Sequence, residues 1–386
     1  MQNCVARVGV WSIVRAMNFI QLLSELVAIP SVNPSYGGVG ESGVEAYVVS
    51  YIRSLGLEPN IQEVLPGRRN VYVEVGSREL PATLIEAHMD TVGIDGWKEG
   101  SPFELREEDG RFYGRGSCDT KASLAVFLGV LTHFSKCPDT LKKRLIFAAT
   151  VDEEANQSGA YELAKLFADL GVVAAISGEP TRSHLVVSHK GACRFVVTTK
   201  GKAAHASTPR LGSNAIVKAS EIVGALNELA ERLDGLDKRE MERGTLNVGR
   251  IEGGIGFNIV PDRCVIEIDR RIGLGETLDA ATQEVHEIVE GCDGAEFELV
   301  LGRPALTTGA DNWFSQAMAA ASGVAGKVSD YQEVGYMTNA VAYEDVGVAA
   351  LVFGPGDIAQ AHKIDEFIDQ GEMERCFKIL QCYFSS

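Results

Sequence analysis

Imidazole and carboxylate groups recur where apolar runs of this chain end. ATLIEAHMD closes on His88 and Asp90, and ISGEPT places Glu179 after VVAAIS. RLIFAATVDEEANQSG sets Asp152, Glu153 and Glu154 directly behind a strand-like run, and GRGSCDTKAS holds Asp119 in a glycine-rich turn ahead of a helical pattern. FGPGDIAQAHKIDEF carries His362 in a loop. Taken singly, each has an ordinary explanation. Asp119 could cap a helix, Glu153 and Glu154 could complement a helix dipole, Glu179 could serve a turn before Pro180, and His88 with Asp90 could simply close a strand.

Together they point to shared chemistry. Residues i and i+2 of a strand share a face, so His88 and Asp90 project together, and the carboxyl ends of strands in an open α/β sheet are the usual ligand site. Several such ends on one rim would gather two imidazoles and several carboxylates, which repel one another unless cations lie between them. Nitrogen and oxygen donors without thiolates suit zinc, cobalt or manganese at catalytic sites. The number of carboxylates suggests two ions with one carboxylate shared.

The elements that must position these groups follow from the hydrophobic pattern. NVYVEVG, ATLIEAH, RLIFAATV and VVAAIS read as strands. NFIQLLSELVAIPS, TKASLAVFLGVLTHF and SGAYELAKLFADLG read as helices, the last closed by Gly171. This alternation predicts an α/β layer with a largely parallel or mixed sheet. From about 190 to 302 the pattern becomes strand ACRFVVTTK, helix SNAIVKASEIVGALNELAERL, strands TLNVGRIEG and DRCVIEIDRRI, helix TLDAATQEVHEIVEG and strand EFELVLG. That β-α-β-β-α-β order matches the ferredoxin-like unit. After it, DNWFSQAMAAAS, VAALVFG and GEMERCFKILQCYF resume the α/β style. The expected architecture is a discontinuous α/β domain over 17–189 and 303–386, interrupted by an inserted ferredoxin-like α+β domain over 190–302. Residues 1–16 read as a disordered extension or an effect of start-codon choice, given Met17 before the first helix-like segment.

The segments, in this order, resemble the dinuclear zinc peptidase/deacylase family of acetylornithine deacetylase, succinyl-diaminopimelate desuccinylase, aminoacylase-1 and carboxypeptidase G. The likeness runs from about Phe19 to the C-terminus. It implies that His88 and Glu179 hold one zinc, that Glu154 and His362 hold the other, and that Asp119 bridges them, with Co2+ or Mn2+ as possible substitutes. It also implies Glu153 as the general acid/base of amide hydrolysis and Asp90 as the group fixing the tautomer and orientation of His88. GKAAHASTPRLGSNAI and GFNIVPDRCVIEIDRR match family segments in which His205 would reach a neighbouring active site to stabilise an oxyanion. Asn258 and Arg271 would contact substrate, Arg271 through a carboxylate. His205 could equally be a surface loop histidine and Arg271 a strand-edge charge. The resemblance further implies a cis peptide at Asp119–Thr120 and a homodimer through the inserted domain. Thr120, Ala122 and Asn156 depart from the commoner pattern without removing a ligand.

The late stretch YMTNAVAYEDVGVAALVFGPGDIAQAHKIDEFI is similar to the acetylornithine deacetylase branch, so N2-acetylornithine is the first expected substrate. Asn339 stands where that branch often has an acid. The desuccinylase, another N-acyl-amino-acid deacylase, a dipeptidase, or a metal-binding dimeric scaffold without catalysis are the alternatives.

Composition fits a soluble globular protein. At 386 residues, with 45% hydrophobic residues, two cores are expected. A formal net charge of −17 argues against nucleic-acid binding. The eight cysteines form no C-x-x-C pair, as expected of reduced cytoplasmic thiols. No stretch approaches the roughly 20 apolar residues of a membrane span, and the N-terminus lacks a long apolar core and a cleavage site of the signal-peptide type. There is no G-x-S-x-G elbow, and Cys118 beside Asp119 has a neighbour that disfavours a thiolate.

Overall fold

Long apolar runs dictate strands buried on both faces, and these build the larger part of the molecule. Residues 18–327 and 330–386 are described by a computed structural model; the extension expected over 1–16 lies outside the described residues. The chain divides into two compact units. The larger runs to Val187 and takes in Thr308–Gln332 and Thr338–Ser386, and the smaller comprises Ser188–Thr307 and Glu333–Met337.

In chain order the strands are β1 (Asn60–Leu65), β2 (Arg68–Val75), β3 (Ala82–His88), β4 (Arg106–Glu108), β5 (Arg111–Tyr113), β6 (Arg144–Thr150), β7 (Val172–Ser177), β8 (Leu185–His189), β9 (Gly191–Lys200), β10 (Thr245–Gly253), β11 (Arg263–Ile272), β12 (Ala295–Arg303), β13 (Tyr331–Val334), β14 (Ala349–Val352) and β15 (Phe367–Asp369). Eight of them form a mixed sheet in the order β1-β2-β6-β3-β7-β14-β8-β13. Its centre is parallel: β3 runs with β6 and β7, and β14 runs with β7. Every residue of β3 and β6 is buried, which is why both read as continuous apolar runs rather than alternating ones. The helix Lys121–Lys136 is buried along most of its length and packs into the same core as Ile85, Phe147 and Ile176. Most of its buried residues are apolar, as expected of a helix enclosed in the core, with Lys121, Ser123, Thr132 and His133 buried among them.

Parallel pairing fixes what the site needs. His88 lies opposite Thr150, and Val352 opposite Ser177. The chain leaving β3, β6, β7 and β14 therefore emerges on one rim. The helix expected over 158–171 is two helices, Ser158–Ala164 and Phe167–Leu170. A tightened turn, with Leu166 N–H on Leu163 O at 3.0 Å, divides them. Gly171 closes the second with φ 61°, a left-handed cap that glycine adopts without steric cost.

The smaller unit is an antiparallel sheet, β10-β11-β9-β12, covered on one face by the helices Ala215–Asp234 and Leu278–Glu290. Alternation along β11 places Cys264, Ile266, Ile268 and Ile272 in a core with Phe195, Leu226 and Val285. Asn214 and Thr277 start the two helices by accepting from Ile216 N–H at 2.9 Å and Ala280 N–H at 3.1 Å. The larger unit with its mixed sheet and the smaller with its antiparallel sheet make the fold a mixed α/β one with a separate α+β domain.

Candidate metal centre

The rim of the larger sheet collects the acidic and imidazole groups from separate strand ends. His88 ends β3, Glu153 and Glu154 follow β6, Glu179 follows β7, and His362 stands in the loop beyond β14. Asp119 arrives from the turn before the helix Lys121–Lys136, and its peptide to Thr120 is cis. Close backbone approach shapes the rim. A Cβ on Gly354 would lie 2.5 Å from Glu179 O, and one on Gly356, at φ 88°, would lie 2.5 Å from Cys118 Sγ. The G-P-G segment is thus needed where the chain passes between the Glu179 and Asp119 turns.

Two overlapping groups result. His88, Asp119 and Glu179 form one, and Asp119, Glu154 and His362 the other, with the ligand atoms of each within 4.8 Å of one another. Asp119 faces both: Oδ1 lies 3.2 Å from His88 Nε2, and Oδ2 lies 3.5 Å from His362 Nε2. Glu179 Oε1 is 3.6 Å from His88 Nε2, and Glu154 Oε2 is 3.1 Å from His362 Nε2. Glu154 Oε1 is buried with no hydrogen-bond partner among the described residues. A buried carboxylate oxygen left in that state calls for a cation. The donors are all nitrogen and oxygen, as a hard or borderline divalent ion requires.

The protonation energetics agree with that geometry. Burial pushes Glu153 up to about 8, against the pull of His88, with Glu154, Asp119 and Asp90 adding to the rise. Burial and the Asp119 charge push Glu154 up to about 7, and the same two causes hold Glu179 well above the usual carboxylate range. The hydrogen bond to Glu154 raises His362 to about 9. Burial opposes a charge on His88, but the carboxylates of Asp119, Asp90, Glu179 and Glu153 together outweigh it and raise the imidazole well above its ordinary value. Crowded carboxyls therefore retain protons that a cation would displace.

Asp90 meets His88 through both its backbone and its side chain. His88 Nδ1 lies 2.9 Å from the Asp90 backbone carbonyl and 3.5 Å from its carboxylate. A carbonyl can only accept, so Nδ1 carries the proton and Nε2 faces the ligand groups; the Asp90 backbone makes the shorter contact, and its carboxylate is a second neighbour of the same nitrogen. The carboxylate instead accepts the backbone N–H groups of Glu153 at 3.2 Å and Glu154 at 3.1 Å, and Asn33 Nδ2 at 2.8 Å. Asn33 also donates to Asp152 Oδ1 at 3.2 Å, which receives Arg68 Nη1 at 2.9 Å. Arg68 is paired in turn with Glu41. This buried network, unassigned from sequence, holds the turn that presents Glu153 and Glu154. Glu366 is a second unassigned group: it is fully buried and binds the Asp119 turn. Asn339 is 1% exposed and donates to Glu86 Oε1 at 3.0 Å, while its own Oδ1 is buried with no hydrogen-bond partner among the described residues.

The remaining site candidates lie in the smaller unit. Exposed His205 and Asn258 come together because residues 204–206 pair with 258–260: Ala206 N–H bonds Asn258 O at 2.9 Å and Val260 N–H bonds Ala204 O at 2.8 Å. His205 Nδ1 lies 2.7 Å from Ser207 Oγ. Arg271, on β11, is half-buried and donates through Nε to Asp269 at 2.7 Å.

Residues 84–386 match the model of the Peptidase family M20/M25/M40. The chain belongs to that family. It is 34% identical over 325 residues to an acetylornithine deacetylase of Myxococcus xanthus, covering 80% of this chain and 81% of the relative. The fold is shared with an M20 family metallo-carboxypeptidase, Sso-CP2, of Sulfolobus solfataricus, at TM-score 0.80 and 19% identity over 95% of this chain and 98% of that one. It is also shared with the YXEP protein of Bacillus subtilis, described as a dinuclear metal binding peptidase, at TM-score 0.68 and 17% identity over 95% and 96% of the two chains. Peptidase-family membership and the two donor groups support a metal-dependent hydrolase. Among the described residues, no helix is long and apolar enough to cross a membrane.

Proposed function

We propose that the chain is a dinuclear metal-dependent amidohydrolase that removes the N-acyl group of an amino acid, with N2-acetylornithine as the first substrate. The observation that carries this reading is the pair of donor groups sharing Asp119, with Glu153 beside them. His88 and Glu179 would hold one ion, Glu154 and His362 the other, and Asp119 both; zinc is the first choice. Bound there, divalent cations supply Lewis-acid polarisation of an amide carbonyl and a water acidic enough to react near neutrality. Glu153 is outside both donor groups and partly buried, with its carboxyl at about 8 in the metal-free protein. It is suited to take a proton from water and return it to the departing amine. A scaffold without catalysis has no use for such a group.

The substrate assignment rests on the Myxococcus relative and on the late YMTNAVAYEDVG segment. His205, Asn258 and Arg271 are proposed to stabilise the oxyanion and to bind substrate, with His205 serving a second copy in a cytoplasmic homodimer. A fully active monomer by light scattering would exclude that role. The direct test is a panel of N-acetyl, N-succinyl and N-formyl amino acids with dipeptides, scored by kcat/KM with zinc present. N2-acetylornithine should lead. A dipeptide or succinyl substrate in front would move the assignment within the family, and no turnover at all would overturn it.

A further inference from the structure

Glu366, a fully buried carboxylate beside the site, has no task in that mechanism. Glu366 stands four residues beyond His362 and reaches into the turn that carries Asp119. Its Oε1 accepts the backbone N–H of Cys118 at 2.7 Å and of Asp119 at 2.8 Å. Its Oε2 accepts the N–H of Gly116 at 2.9 Å and Arg115 Nη1 at 2.7 Å. Its backbone carbonyl takes Gly114 N–H at 3.1 Å and Ser117 Oγ–H at 3.3 Å. Three amides and a guanidinium converging on one anion form a nest that ordinarily receives a ligand; here the chain fills it with its own side chain.

We infer that Glu366 is a positioning residue, which sets the Asp119 carboxylate astride the two donor groups and ties it to the loop of His362. The inference rests on the dinuclear reading. On its far side Asp119 is followed by Thr120, whose hydroxyl donates to the Gly178 carbonyl next to Glu179. The bridging residue is thus pinned to the Glu179 turn on one side and, through Glu366, to the His362 loop on the other. Removing the second pin frees Asp119 to serve one group at a time. Glutamine has the same shape, but one end becomes a donor and must face either the Cys118 and Asp119 amides or the Gly116 amide and Arg115. Either way one pair of buried donors loses its acceptor.

The experiment is a calorimetric Co2+ titration of metal-free wild type and Glu366→Gln, with the visible spectrum recorded at each step and activity measured against added Co2+. Wild type should take two ions. Glu366→Gln should bind the second about 10–100-fold more weakly, with kcat reduced, KM little changed, and activity recovered at high Co2+. Leu229→Ala, a core change in the smaller unit, controls for general loss of stability and should bind both ions normally. If Glu366→Gln does not fold, Glu366→Asp is titrated instead. It keeps the charge but is one methylene too short to reach both donor pairs, and the same weakening is expected. Two ions bound within threefold of wild-type affinity in the variant would overturn the inference alone. A wild type that takes fewer than two would overturn the dinuclear reading beneath it.

Discussion

Replacing Asp90 with alanine separates two roles for that carboxylate. In the structure it accepts Glu153 N–H, Glu154 N–H and Asn33 Nδ2, while the proton on His88 Nδ1 goes to the Asp90 backbone carbonyl, which alanine retains. A buried donor left without an acceptor costs about 1–3 kcal/mol. The two turn amides belong to partly buried residues, so water recovers part of their loss, and Asn33 keeps its bond to Asp152. The sum is roughly 3–5 kcal/mol for the three donors. The functional effect should exceed the stability effect, because a shift of about 1 Å in a catalytic group can cost about 100-fold in rate. The assays are urea unfolding of the metal-free protein, kcat with metal restored, and metal affinity. Asp90→Ala should lose stability by that amount and kcat by about 100-fold, while the His88, Asp119 and Glu179 group still binds an ion. A loss below about 1 kcal/mol with kcat within threefold of wild type would refute the reasoning. So would selective loss of that ion, since it would return the carboxylate to a role on the imidazole.

Glu153→Gln should keep both ions by elemental analysis and lose about 100- to 10,000-fold in kcat; wild-type-like turnover would remove Glu153 from the mechanism. Glu153, Glu154 and His362, at about 8, about 7 and about 9, hold protons more tightly folded than unfolded. Their contribution to the stability of the metal-free protein is present below the unfolded values and is lost as pH rises through the folded ones. The gain in melting temperature on adding metal should therefore grow between about pH 5 and pH 9, with protons released on binding in calorimetry. A flat gain without proton release would contradict these shifts. Gly356→Ala should destabilise by roughly 2–4 kcal/mol, from its φ of 88° and the contact with Cys118 Sγ. Adding Cys118→Ala should recover only the steric part in a denaturant melt.

The residues gathered on the rim were legible because each stands at a strand end or in a turn with a distinctive neighbour, and the continuous apolar runs marked a largely parallel or mixed sheet without giving its strand order. What escaped depends on side chains meeting across the chain. Asn33 bridges Asp90 and Asp152 from a loop that carries no periodic signal. Glu366 sits in the AHKIDEF stretch read for His362, yet its partners are backbone amides of another turn, and backbone amides leave no trace in residue type. The choice between the carboxylate and the carbonyl of Asp90 as partner for His88 is set by the path of the chain after β3, which periodicity does not encode. The helix Ser42–Ser54 and the small sheet of β4, β5 and β15 were unread for a related reason. The strands of that sheet are three residues each, too short to show alternation.

Anomalous X-ray scattering at the zinc edge, from crystals of the intact chain grown with zinc, tests the shared-carboxylate centre most directly. Two peaks are expected, one among His88, Asp119 and Glu179 and one among Asp119, Glu154 and His362. A map blank at Asp119, or a single peak that leaves either group empty at saturating zinc, would contradict it.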